Sequence, residues 1–301
     1  MKKQLLKNVK LISFIALCAV TWASCKKDNK VASTMQPQDA AIRPITASSN
    51  AYVTQLFDFN PAPGQFINTG LGDTVAAKGT LKTDQGLVSL GAWGGYIVVG
   101  FDHTVINQKD STDFVVYGNA FSLFAEPGVI WVMQDTNGNG KPDDTWYEIA
   151  GSAYHAPGYL RNYSVTYTRP ACDTCSVPWK DNQGKTGVVQ TNIFNTQAYF
   201  PKGIKANTAT YNGTLLPSSK INMDDPSYIT SGSWDYGYGD NTAGGDKIDI
   251  ASAVDANGNS VNLKGIDFVK VQTGILFNMG WLGEQSTEFC GAADLSLLKT
   301  K

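Results

Sequence analysis

Short runs of β-branched and aromatic residues, broken every few positions by Gly, Asn or Asp, recur along most of the chain and predict strands. The runs fall at 87–90, 96–101, 113–117, 129–133, 145–149, 163–168, 247–251, 261–263, 266–272 and 287–290. In several, apolar and polar positions alternate. Val165 and Tyr167 stand between Ser164, Thr166 and Thr168; Phe268, Val269, Lys270 and Val271 follow Asp267; Ile248 and Ile250 flank Asp249. Such alternation suits a strand with one face buried. No long amphipathic helix is predicted, only a short one over 191–199. Many short strands with turn signals predict an all-β, jelly-roll-like antiparallel β-sandwich over 51–301. Residues 155–240 are rich in Asn, Thr, Gly, Pro and Tyr and poor in apolar runs. They read as long decorating loops, with room for a small subdomain. Loops on a β scaffold are the usual place for a binding surface.

The stretch 129–149 organises the rest. Two strand-like runs flank a loop dense in hard oxygen donors. Asp135, Asn137, Asn139 and Asp143 take the first, third, fifth and ninth places of a calcium-loop spacing, Gly140 the sixth and Lys141 the seventh. The twelfth place, where an EF-hand carries a bidentate Glu, is Trp146, and the flanks are not helical. The reading is therefore a calcium-type loop closing a hairpin, with Asp144 as a substitute ligand. A plain Asn-Gly turn without metal stands beside it.

The N-terminus adds an address. Lys2, Lys3, Lys7 and Lys10 precede an apolar run at 11–20 and then Trp22-Ala23-Ser24-Cys25. This reads as an export signal over 1–24, too short for a permanent span, with Cys25 as a lipidated first residue. Ordinary cleavage near Ala23 is the alternative. Residues 25–50 are polar and read as a flexible tether. Losing four lysines and no acids takes the net charge from −2 to −6. That argues against nucleic acid, whose phosphates need a basic face. Export permits disulfides, and Cys172 with Cys175 could close a small loop. A lone CxxC is weak evidence for zinc. Cys290 reads as a small buried residue.

Candidate chemistry is sparse. His103 reads as a hydrogen-bonded strand-end residue; with only two histidines and no Gly-x-Ser-x-Gly elbow, no triad is legible. Glu126, Asp143, Asp144, Glu148, Asp240, Asp246, Glu284 and Glu288 include enough carboxylates for a glycosidase pair, but spacing alone fixes no separation. Residues 255–259 read as a hairpin turn and 240–246 as an acidic, Gly-rich loop. Trp234, Tyr236, Tyr238 and Asp240 form the candidate recognition surface, since flat rings stack on sugars or a macrocycle at low ordering cost. Rings packed over the sandwich edge are the competing reading.

The tracts LGAWGGYIVVGFDHTVIN, FVVYGNAF, EPGVIWVMQDTNGNGKPDDTWYEIAGS, KIDIASAVDANGN and GIDFVKVQTGI…GWLGEQSTE resemble a family of Bacteroidota cell-surface lipoproteins. The resemblance covers roughly 55–155 and 234–295 and is weakest over 170–228. It implies a jelly-roll-like, non-catalytic envelope protein, often encoded near outer-membrane uptake systems, including those for vitamin B12. No catalytic residues carry over. The expected function is a lipid-anchored surface protein that binds a small-molecule or glycan ligand, cobalamin-like nutrients included, and assists an outer-membrane transporter. The alternatives are a calcium-stabilised structural or adhesive module and a carbohydrate-active enzyme.

Overall fold

The computed structural model describes residues 41–298. The export signal, Cys25 and most of the tether lie outside them. The architecture is an all-β antiparallel sandwich with no closed barrel. Its spine is the strand Gly265–Thr273, paired on one side with Tyr96–Ile106 and on the other with Gly128–Met133. Gln55–Asn60 extends the sheet at one edge; Tyr147–Ile149 and Ala253–Val254 extend it at the other. The expected hairpin is present: Trp131 pairs with Glu148 and Val132 with Tyr147.

Alternation along these strands sorts side chains between two faces. Ile97, Val99, Ile130, Val132, Val269 and Val271 share one buried core with Phe114, Val116, Ile248 and Ala292 of a three-stranded sheet. That sheet comprises Asp246–Ile248, Phe114–Tyr117 and Gly291–Asp294. The intervening residues Trp131, Glu148, Lys270 and Gln272 take the opposite face. Gln272 Nε2 donates there to the carbonyls of Gly94 (2.9 Å) and Asn212 (3.0 Å).

The 155–240 segment keeps the expected strand at 163–168, widened to Leu160–Thr168, but around it a sheet replaces most of the expected loops. It holds a four-stranded sheet, ordered Thr208–Leu215, Leu160–Thr168, Val177–Asp181, Thr186–Val189. Tyr163, Val165 and Tyr167 form a second core with Trp93, Tyr199 and Tyr211. Aromatic rings do here what aliphatic runs do elsewhere, so the sequence looked apolar-poor. The expected helix at 191–199 is absent. The Asn192 side chain instead accepts the N–H groups of Phe194 and Asn195 in a local turn. A six-residue helix forms at Thr74–Gly79, where Asp73 accepts from the N–H groups of Val75 and Ala76. Residues 261–263 are not a strand, and the 247–251 run ends at Ile248, after which Asp249 caps a short 3-10 turn. The end of the expected tether is tied down: Arg43 pairs with buried Asp267 at 2.9 Å. Cys172 and Cys175 are disulfide-bonded, and Cys290 is buried and free. Among the described residues no helix is long and apolar enough to cross a membrane.

Candidate functional site

Where the four-stranded sheet lies over the polar face of the seven-stranded one, packing leaves a cleft of about 370 Å³. Trp131, Trp146, Arg161, Asn212, Asp255 and Lys270 line it. Register places three of its elements side by side, because Trp131 pairs with both Lys270 and Glu148. Lys270 Nζ sits 4.5 Å from the Tyr96 ring centroid and 5.6 Å from that of Trp131. Burial brings its pKa down to about 8, against the opposing charge of Asp58. Arg161 is held by Glu148 (3.3 Å) and by the Asp255 carbonyl (2.7 Å), so its guanidinium is preset. The buried indole N–H of Trp131 has no acceptor among the described residues. Two flat rings beside fixed cationic and amide donors match a polyhydroxylated or acceptor-rich ring ligand.

The oxygen-rich loop leads directly into this cleft. Gly138 and Gly140 both have φ near +70° (71° and 72°), which glycine adopts without a Cβ penalty. Asp135 accepts the N–H groups of Asn139 (3.1 Å) and Gly140 (2.9 Å). Asn137 and Asn139 turn their amides onto the Asp143 carboxylate at 2.9 and 3.0 Å, which lowers the Asp143 pKa. Asn137, Asn139 and Asp143 are thus brought together, with Asp135 bracing the turn. Asp144 stands apart as a ligand, because both its oxygens engage Thr136. Lys141 has an exposed side chain, and its N–H is taken by Asn139. The amide oxygens of Asn137 and Asn139 accept the N–H groups of Asn139 (3.0 Å) and Lys141 (2.8 Å), so a hard cation such as calcium would have to displace these bonds. Trp146, at the place of the missing twelfth ligand, instead forms a wall of the cleft.

The proposed aromatic surface is not one surface. Tyr236 is exposed and Trp234 half-buried beneath Lys220 (5.1 Å), but Tyr238 and Asp240 are interior. Tyr238 fills a core with Val129 and Leu216 because the two-residue strand Tyr238–Gly239 pairs with Gly128–Met133. The ring-over-edge reading holds for Tyr238, and Asp240 belongs to a different group.

That group is acidic. Glu126, Asp240 and Glu288 each bring a carboxylate oxygen within 4.8 Å of the others. They come from three distant segments, which is why spacing did not join them. A second cavity, of about 290 Å³, opens onto Glu126 and Glu288 between Phe66, Phe124 and Met279. Burial first, then the Asp240 charge, raises the Glu126 pKa to about 8; burial and the same crowding drive Asp240 and Glu288 well up. No protein-family model matches the chain, and no curated protein matches it.

Proposed function

We propose that this chain is a non-catalytic, exported and lipid-anchored surface protein that captures a glycan or a cobalamin-like nutrient for an outer-membrane uptake system. The observation that carries the binding is the cleft, with Trp131 and Trp146 beside Arg161 and Lys270. The export signal, Cys25 and the lipoprotein resemblance support the address. A catalytic reading gains nothing from the acidic cavity, since the carboxylate oxygens of Glu126, Asp240 and Glu288 crowd within 4.8 Å of one another there. A glycosidase pair needs its carboxyls on either side of the scissile bond.

Trp146→Ala removes a stacking ring and no core contact. Calorimetry against neutral and acidic oligosaccharides and cyanocobalamin is expected to find a ligand for the wild type and an affinity ~10-fold or more lower for the variant. Equal binding by both, or no binding by the wild type, would sink the reading. Calcium bound by the 135–144 loop would stiffen the approach to Trp146. Adding calcium is therefore expected to tighten ligand binding severalfold in the wild type and to leave Asp143→Ala unchanged.

A further inference from the structure

We propose that Glu126, Asp240 and Glu288 hold a second hard divalent cation, of calcium type, at the floor of the smaller cavity. This is independent of both the cleft and the 135–144 loop, with which the three share no residue. Their donors account for only part of their oxygens. Glu126 accepts from Ser286 N–H (3.0 Å), Glu288 from Ser286 Oγ (2.9 Å) and Asp240 from Glu288 N–H (2.8 Å).

The second observation is unsatisfied acceptors beside the cluster. Asp240 is 0% exposed, and its Oδ1 has no hydrogen-bond partner. Gln285 is 1% exposed and lines the same cavity. Its Nε2 donates to Met279 Sδ, which leaves Oε1 with no partner. Both orphans are acceptors. Among the described residues, no Lys, Arg or His forms an ion pair with any of the three carboxylates.

Buried carboxylates without a counter-charge take up either protons or a cation. Protons suffice for a pair, but a third converging carboxylate, with the unpartnered Gln285 Oε1 on the same cavity, favours something that accepts several lone pairs at once. A calcium-type ion does this, taking roughly six to eight oxygens. The donor set excludes a soft metal. The cavity supplies an entry path and room for water in the remaining positions. Gly118 makes space for Asp240, since a Cβ there would lie 2.4 Å from Oδ1.

The test is a calcium titration of the Asp143→Ala chain, stripped with chelator, at neutral pH. One equivalent is expected to bind. Adding Glu126→Gln and Glu288→Gln is expected to lower that affinity at least ~10-fold. No calcium binding by Asp143→Ala, or equal binding after both Gln changes, overturns the proposal. Should the Gln variants fail to fold, wild-type crystals soaked with a lanthanide locate the ion by anomalous scattering. A peak among the three carboxylates supports the proposal; a peak confined to the 135–144 loop, or none, overturns it. Ligand binding in the cleft is read separately by the Trp146 experiment.

Discussion

Glu148→Ala is expected to destabilise the protein by ~3–5 kcal/mol, the range for breaking a buried charge pair from one side. Glu148 is 1% exposed. It accepts from Tyr159 Oη, from Thr214 Oγ1 (2.8 Å) and from Arg161 Nε (3.3 Å). Those three partners belong to the layer above, while Glu148 stands on the strand Tyr147–Ile149 below. One carboxylate therefore joins two sheets. Its removal leaves three donors without an acceptor and a guanidinium only 20% exposed. The Arg161 head would then be held by the Asp255 carbonyl without its carboxylate, and the cleft's cation would be less firmly preset. Urea unfolding should show the lost stability, and ligand calorimetry a parallel loss of affinity. Tyr159→Phe, which removes a single hydroxyl, is expected to cost only ~1 kcal/mol. A Glu148→Ala loss no larger than that would mean the layers are held by apolar packing alone.

The same junction shows what could be read from the sequence. Alternation in Asp267–Val271 is plain, and it correctly puts Val269 and Val271 in a core. It cannot say that the other face, with Lys270, is covered as well. A strand buried on both sides normally reads as a continuous apolar run. Here the second layer meets the sheet through Glu148, Lys270 and Gln272, and polar contacts imitate solvent exposure. Beyond its strand at 163–168, the covering sheet was hidden for a related reason. Its core is built from Tyr163, Tyr167, Tyr199 and Tyr211, spread among Asn and Thr. The 135–144 loop was legible because its donors are consecutive in sequence. The acidic group was not, since Glu126, Asp240 and Glu288 meet only after three strands have found their partners. Asp240 had looked like the end of an aromatic loop. What redirected it was the pairing of Tyr238 with Val129, which draws the following residues inward.

His103→Ala is expected to cost ~3–5 kcal/mol at mildly acidic pH, and progressively less as the solution becomes alkaline. The ring is fully buried in the strand Tyr96–Ile106. Its Nδ1 lies 2.7 Å from Asp102 and its Nε2 3.0 Å from Asp294. Burial alone would pull the imidazole pKa down. The hydrogen bonds and charges of Asp294 and Asp102 outweigh it, and the net shift is upward from 6.5. A histidine whose folded pKa exceeds its unfolded value contributes stability fully below 6.5 and loses it as pH rises through the folded value. Asp294 carries the opposite sign. Burial would raise its pKa, but the bonds from His103 and Ser296 hold it below 3.8, so its contribution is present above that value and fades in stronger acid. The pair is therefore strongest between those two limits. Deleting the imidazole leaves a carboxylate with 2% of its side chain exposed and no cation beside it. The gap between the unfolding free energies of wild type and His103→Ala, measured from pH 5 to pH 9, should narrow toward the alkaline end to the pH-independent cost of the lost packing. Parallel curves would show that the imidazole is neutral throughout and acts by hydrogen bonding alone. Asp102→Asn separates the two partners: Asp102 is 34% exposed and water replaces it cheaply. Its effect is expected to be far smaller than that of Asp294→Asn, because no water reaches the buried side of the ring to replace the lost carboxylate.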